Sequence, residues 1–159
     1  MKITILAVGK IKEKFYSEAI GEYTKRLSRY CKLEIVQVND EKTEENASEH
    51  EMDLIKEREA ERLLKHIGKD DYVVTLEIQG KELDSLQMAD KIQKCMVGGI
   101  SHIVFVIGGS LGMHASVSKR ADFRLSFSKM TFPHQLMRVI LLEQIYRSYR
   151  IIHKEPYHK

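Results

Sequence analysis

The chain has 159 residues, 43% hydrophobic and 31% charged, with a net charge of +3, as expected for a globular protein with one sizeable core. No apolar run approaches the ~20 residues that span a bilayer, and the first apolar stretch is too short for a signal peptide. Cys31 and Cys95 lie far apart without metal-binding spacing. The two cysteines predict free thiols in a reducing cytoplasm and no metal site. The lack of a long apolar run predicts no membrane association.

Hydrophobic periodicity predicts alternating elements along the first half of the chain. A buried-type strand at 2–8 is followed by an amphipathic helix over 13–31, whose apolar residues recur at spacings near 3.6: Phe15, Ile20, Tyr23, Leu27 and Tyr30. A second strand at 32–38 leads through a polar loop to a helix over about 51–67, which ends at Gly68. A third strand at 72–78 is closed by a predicted turn at 79–81.

The second half continues the alternation. A helix capped by Asp84 or Ser85 runs to about Met96 and stops at a double glycine. Strands at 102–107 and 122–128 follow, and a long apolar helix covers 134–152. No repeat, linker or domain boundary is present. The pattern therefore predicts one α/β domain over 1–159, with a mostly parallel sheet and helices on both faces.

Charge is unevenly distributed. Residues 113–159 contain nine Lys or Arg and three acids, hence +6, so residues 1–112 carry −3. Between Asp40 and Glu61, ten acids stand against three bases. This asymmetry has two interpretations. It predicts either a basic face that binds a polyanion, with an acidic face turned away from it, or a solvated acidic helix together with ordinary basic surface residues. Charge alone leaves both interpretations open.

The strand at 102–107 ends abruptly on Gly108-Gly109, with Gly112 three residues later. Glycine lets a backbone approach a ligand closely, so this turn is a candidate binding loop. It is not a dinucleotide fingerprint, because Ile107 replaces the first glycine and no acid occurs between 123 and 142. No Gly-Lys pair is followed by Ser or Thr, which excludes a P-loop. A turn that serves only tight packing is the alternative.

Other candidate sites are few. The run HEMDL at 50–54 lacks the second histidine of a zinc protease motif, and His102 and Asp70-Asp71 are interpreted as structural. Pro133 opens a helix at His134, beside the glycine turn in a parallel sheet, which predicts a pocket at the carboxyl ends of the strands. The tail HKEPYHK at 153–159 is either a frayed terminus or an RNA-contacting segment.

The segments HIVFVIGGSLG, LSFSKMTFPHQLMRVILLEQIYR and the terminal PYHK together resemble the RlmH family of the SPOUT superfamily. The resemblance covers the whole chain and is strongest over 102–159. It implies an S-adenosyl-L-methionine-dependent methyltransferase that acts on N3 of pseudouridine 1915 in 23S rRNA of the assembled ribosome. It also implies a cytoplasmic homodimer and a C-terminal trefoil knot.

The resemblance also implies site residues. A cofactor pocket would be formed by Leu76, Gly108, Phe127, Ser128, Lys129, Met130, Thr131 and Phe132. His158 or Tyr157 would take the N3 proton or orient the base, Arg147 would hold a phosphate or carbonyl oxygen, and Lys154 and Lys159 would contact RNA. Two positions depart from the family pattern: Ser110-Leu111 replace a frequent Pro-Glu, and Glu155 replaces a common His.

Two questions stay open at this stage. The basic C-terminal segment fits a non-catalytic ribosome- or RNA-binding protein of α/β fold equally well. The tail of an enzyme could also act in its own subunit or complete the pocket of a partner.

Overall fold

The computed structural model describes residues 1–159 and contains one five-stranded sheet. The strands are β1 (Lys2–Val8), β2 (Lys32–Val38), β3 (Tyr72–Glu82), β4 (His102–Ile107) and β5 (Phe123–Ser126), and the helices are α1 (Lys14–Leu27), α2 (Glu49–Leu64), α3 (Ser85–Val97), α4 (Ala115–Arg120) and α5 (His134–Ile152). The strand order is β2-β1-β4-β3-β5, and all four pairings are parallel. The predicted α/β class is confirmed.

Helices cover both faces of the sheet, because side chains of a strand alternate between its two sides. Ile3, Ile5 and Ala7 of β1 belong to a core with residues of α1, α3 and α5. Leu6 and Val8 belong to a second core with residues of α2 and α4. The central strands β1 and β4 are therefore buried on both sides, which explains why their sequences are continuous apolar runs.

The helix starts follow local capping chemistry. Ser48 accepts a hydrogen bond from the backbone N–H of Glu51, so α2 begins at Glu49, two residues before the predicted start. Asp84 and Gln87 form a reciprocal capping box, which begins α3 at the predicted place. Pro133 directly precedes α5, as predicted.

The predicted turn at 79–81 is wrong. β3 continues to Glu82 and pairs with β5 through a register shift between Leu76 and Lys81. Gly80 lies so close to β5 that an added Cβ would be 2.8 Å from the backbone of Arg124. The glycine is thus required for the close approach of two strands, and a single sequence does not distinguish this from a turn.

The helical pattern at 13–31 is only partly right. α1 ends at Leu27, and Phe15, which was assigned to its apolar face, is 61% exposed. The short helix α4 was not predicted, because its six residues contain only one buried apolar side chain, Val117. No helix combines the length and hydropathy of a membrane span.

Candidate functional site

A cavity of about 470 Å³ lies at the carboxyl ends of β3, β4 and β5. Its walls are segments 76–79 and 107–113 and all of 127–132 except Lys129, which is exposed. His134 and Met137 in the first turn of α5 complete it. This edge is where open α/β sheets bind ligands, and the volume is in the usual range for a small-molecule site.

The glycine turn is shaped by close backbone contacts. The N–H of Gly112 donates to the carbonyl of Gly109 at 3.0 Å, and Gly112 has a φ of +94°, which favours glycine. An added Cβ at Gly108 would lie 3.0 Å from the Gly112 carbonyl oxygen. At Gly109 it would lie 2.7 Å from a carboxylate oxygen of Glu59. The turn is therefore tightly packed on one side and lines the cavity on the other.

Three ionisable side chains line the cavity. Glu77 accepts hydrogen bonds from the hydroxyls of Thr75 at 2.6 Å and Ser118 at 2.7 Å. Lys56 is half-buried and takes part in no ion pair, so its ammonium is free for a ligand. Burial, and then the charge of Arg138, lower the pKa of His134, which keeps this imidazole neutral at neutral pH.

Arg138 fastens α5 to the end of β1. Its side chain is 2% exposed, and its guanidinium donates to the carbonyls of Val8 at 3.1 Å and Gly9 at 2.9 Å and to Gln37 Oε1 at 2.7 Å. Burial lowers its pKa, and its Nε has no partner. Helical periodicity missed this residue, because a charged side chain is normally placed on the solvated face.

The C-terminal tail is folded onto α5 rather than frayed. Glu143 accepts hydrogen bonds from Arg147 Nη2 at 2.7 Å and from the Tyr157 hydroxyl at 3.1 Å, and Arg147 Nη1 lies 3.1 Å from His158 Nδ1. The Arg147 guanidinium also stacks 4.7 Å from the centroid of the Tyr157 ring. We call these four residues the tail cluster. Burial, and then the charge of Glu143, raise the pKa of Tyr157.

A second set of contacts holds the tail upstream of the cluster. Glu155 pairs with Arg150 and accepts a hydrogen bond from the Tyr30 hydroxyl at 2.9 Å. Hydrogen bonding to Tyr30 and the charge of Arg150 hold the pKa of Glu155 below its ordinary value. Glu155, which replaces a common His of the family, is thus held in place by Arg150 and Tyr30. Lys154, with a φ of +55°, and Lys159 are exposed.

The tail cluster and the cavity are at opposite ends of α5. His134 lines the cavity, and Arg147 follows thirteen residues later, which corresponds to about 20 Å along a helix. None of Arg147, Tyr157 and His158 lines the cavity. Within one subunit, seven of the eight predicted cofactor residues are brought together, whereas Arg147, Tyr157 and His158 form a separate group that does not include Lys154 or Lys159.

His102 is the first residue of β4, at the end of the sheet opposite the cavity, and its contacts are structural. Its Nε2 lies 2.8 Å from the hydroxyl of Thr4, and its Nδ1 lies 2.7 Å from a carboxylate oxygen of Asp71. Although this order resembles a catalytic triad, Thr4 is only 3% exposed and none of the three residues lines the cavity. The three side chains satisfy each other's hydrogen bonds. No group of His, Cys, Asp and Glu has a metal-binding arrangement.

The family model described as "Predicted SPOUT methyltransferase" matches residues 1–158. The chain belongs to the SPOUT methyltransferase family. Over all 159 residues of both proteins, it is 60% identical to a Bifidobacterium adolescentis protein and 57% identical to a Clostridium botulinum protein, each named "Ribosomal RNA large subunit methyltransferase H". A Methanococcus maripaludis protein, 63% identical over the same span, carries this name in provisional form.

A solved structure supports the SPOUT methyltransferase fold. The chain resembles a probable methylase family protein from Haemophilus influenzae with a TM-score of 0.51, at 12% identity. The match covers 99% of this chain and 70% of that one. At this identity the likeness concerns the fold alone.

The glycine turn, Pro133 and the family resemblance together located much of this SPOUT methyltransferase's cavity. Seven of the eight residues expected to bind cofactor line it, and the N-terminus of α5 lies beside the glycine turn as predicted. Lys56 and Glu77 were missed, since neither lies in a recognisable motif. A lysine on the strongly acidic helix α2 gives no sequence signal for a site formed by strands β3 to β5.

Proposed function

We propose that this protein is an S-adenosyl-L-methionine-dependent methyltransferase that methylates N3 of pseudouridine 1915 in 23S rRNA of the assembled ribosome, in the cytoplasm. The observation that carries the proposal is the cavity formed by the glycine turn and segment 127–132, in a SPOUT methyltransferase whose relatives are named large subunit rRNA methyltransferases.

The cavity lining suits this cofactor. S-adenosylmethionine has no phosphate, which agrees with the lack of a P-loop, and when bound it supplies an electrophilic methyl group. Leu76, Leu125 and Phe132 offer apolar contacts for the adenosyl group, next to the backbone of the glycine turn. Lys56 would hold the carboxylate of the methionine part, because this half-buried residue lines the cavity and forms no ion pair within the protein.

The protein's own groups would position the RNA base and manage its proton. Methyl transfer requires in-line approach, so orientation supplies much of the rate acceleration. Arginine has only donors, so His158 Nδ1 accepts from Arg147 and its Nε2 carries a proton. His158 in this tautomer would donate to a carbonyl oxygen of the base and orient it. The neutral His134 in the cavity is the suitable proton acceptor.

The distance along α5 supports a site that two subunits share. Leu136, Val139 and Ile140 are half-buried and lie outside both cores, on the same side of α5 as Glu143 and Arg147. An antiparallel two-fold contact centred on Ile140 would place Arg147 of one copy opposite the start of α5 in the other. The tail cluster of each copy would then complete the cavity of its partner in a homodimer.

A mixed-dimer experiment tests the shared site. Gly108→Val blocks the cavity and His158→Ala removes a tail group, so each homodimer should be poorly active on 70S ribosomes that lack the methyl group. When the variants are mixed, a dimer with one copy of each has one site with both groups intact, so methylation should recover. Differently tagged copies verify subunit exchange. No recovery despite exchange would show that each tail acts in its own subunit.

The methylation itself is tested by mass spectrometry of 23S rRNA from a strain without the gene. The methyl group at pseudouridine 1915 should be absent and should return with the wild-type gene. Calorimetric titration with S-adenosylmethionine separates the enzyme from a non-catalytic RNA-binding protein, which would give no binding heat. The C-terminal trefoil knot stays a prediction of the family resemblance.

A further inference from the structure

The loop after β1 presents a cluster of lysines and an exposed aromatic side chain. Lys10, Lys12 and Lys14 are exposed, and Phe15 is 61% exposed beside Tyr16, with ring centroids 4.4 Å apart. Lys10 and Lys12 take part in no ion pair, and Lys14 reaches Glu18 only at 3.8 Å. We call residues 10–16 the lysine loop. Its ammonium groups are free to meet anions from outside the protein.

The backbone of the lysine loop is held firmly. Gln135 Oε1 accepts from the N–H of Lys12 at 2.9 Å, and Gln37 Oε1 accepts from the N–H of Ile11 at 3.0 Å. Arg138 binds the carbonyl of the preceding Gly9, whose φ of +90° turns the chain out of β1. These side chains fix the backbone, so the lysines project from a preorganised surface and not from a flexible strand end.

The same turns of α5 hold the lysine loop and line the cavity. Gln135 contacts the loop and Arg138 contacts the preceding Gly9, and His134 and Met137, adjacent to them in the sequence, line the cavity. β1 also lies next to β4, with Ala7 in register with Ile107 just before the glycine turn. The loop and the cavity therefore share the carboxyl edge of the sheet, so a macromolecule with one group in the cavity passes near the lysines.

The chemistry of the lysine loop fits RNA. Single-stranded RNA is bound by cations that contact phosphates and by aromatic rings that stack on bases. Phe15 matches helical periodicity but does not enter the core, so burial does not explain an aromatic side chain at this position. A two-fold contact between copies centred on the loop would oppose lysine to lysine, which electrostatic repulsion disfavours.

We propose that the lysine loop docks the rRNA substrate, with Lys10 and Lys12 on backbone phosphates and Phe15 stacked on an unpaired base near the one in the cavity. The proposal rests on the proposed rRNA substrate and adds a binding surface from a part of the chain far in sequence from the site segments.

The lysines are tested with a double variant, Lys10→Ala with Lys12→Ala. Its matched control is Lys65→Ala with Lys69→Ala, two exposed lysines after α2, near the opposite edge of the sheet. With 70S ribosomes that lack the methyl group, KM should rise about tenfold in the test variant, while kcat and cofactor affinity stay unchanged. The slope of log affinity against log salt should become shallower by about 1.4, for two phosphate contacts at ~0.7 each.

Phe15 is tested separately, because an exposed side chain can be replaced without disturbing the core. Phe15→Ala should raise KM at least about fivefold, as expected for a lost base stack, and Phe15→Trp should restore it. The rescue by another aromatic residue distinguishes stacking from a general effect on helix α1.

The outcomes separate this proposal from the proposed function. If wild type methylates ribosomes and the lysine variant has the same KM and salt slope, the docking surface is rejected and the function stands. If wild type transfers no methyl group but the lysine variant alone loses ribosome binding, the function fails and the surface stands. Two further results would overturn the proposal. If the lysine variant keeps the wild-type KM but loses the dimer mass, the surface binds another copy of the chain. If it keeps the wild-type KM but loses binding to phosphatidylglycerol vesicles, the surface binds a membrane.

Discussion

The cavity and the tail cluster are built from opposite kinds of interaction. The cavity is formed by loops at the ends of buried strands, and ten of its 20 lining residues are hydrophobic, so its shape follows from the core. The tail cluster lies on the outer face of α5 and consists of a carboxylate, a guanidinium, a phenol and an imidazole bonded to one another. The first kind suits a small ligand that has an apolar part, and the second suits a polar base and its phosphates.

The difference between the two regions suits a division of roles, with cofactor binding in the cavity and contacts with RNA at the tail cluster. A cofactor needs a preformed pocket, which a single subunit already provides. An RNA base needs charged and aromatic groups that meet it from outside, and the tail cluster, which we propose supplies them, lies about 20 Å along α5 from the pocket of its own subunit. Changes in one region should therefore leave the other largely intact, and changes at the proposed dimer contact should uncouple them.

The largest effect is expected from deletion of residues 157–159. Cofactor affinity should stay near that of wild type, since no tail residue lines the cavity. Turnover on 70S ribosomes should fall by roughly 10²–10³-fold, the range for loss of a positioned hydrogen-bond donor. Single-turnover methylation beside calorimetric titration with S-adenosylmethionine measures both quantities. Normal methylation by the truncated protein would mean that the tail has only a structural role.

Gly108→Val should produce the converse result. Its Cβ would lie 3.0 Å from the Gly112 carbonyl, so the turn must shift or the side chain must fill the cavity. Overpacking of this kind costs about 1–3 kcal/mol, which predicts an increase in cofactor Kd of roughly five- to a hundredfold. Gly21→Val is the control, because nothing lies within 4 Å of an added Cβ there. Wild-type cofactor affinity in the Gly108 variant would reject the pocket assignment.

Ile140→Asp addresses the link between the two regions. A charge at the centre of the half-buried face of α5 should raise the dimer dissociation constant by about tenfold or more. Sedimentation should shift from about twice the 18.5 kDa chain mass toward the monomer, with methylation lost in parallel. Leu86→Asp, at an exposed position on α3, should change neither. A wild-type protein that is monomeric at micromolar concentration would remove the shared site.

The smallest effect concerns pH. His134 has a pKa below its ordinary value in the folded protein, so the folded state binds this proton less readily than the unfolded state. Its contribution to stability is therefore present above pH ~6.5 and is lost as the pH falls toward the folded pKa. The drop in Tm between pH 7.5 and 5.5 should be smaller in His134→Asn than in wild type. Equal drops would show that this imidazole does not feel the burial and the charge of Arg138.

Local chemistry in the sequence determined most of the fold. Continuous apolar runs marked β1 and β4, the Asp84–Gln87 box began α3, and Pro133 began α5. The glycine turn and Pro133 predicted a pocket at the carboxyl ends of the strands, and the family resemblance added Leu76 and segment 127–132. The local signals could be read because each depends on residues within a few positions of one another, where periodicity and capping preferences act directly.

Other features depend on contacts between distant parts of the chain, so only the tertiary structure decided them. Gly80 is needed because β5 passes against it, and Arg138 is buried because its guanidinium meets carbonyls 129 and 130 residues away. The tail is ordered because Tyr30, which is 125 residues from Glu155, and Glu143 of α5 form hydrogen bonds with it. Hydrophobic periodicity indicates which side chains prefer burial. The packing of elements that are far apart in the sequence decides which partners a buried charge meets, and it leaves Phe15 exposed to solvent.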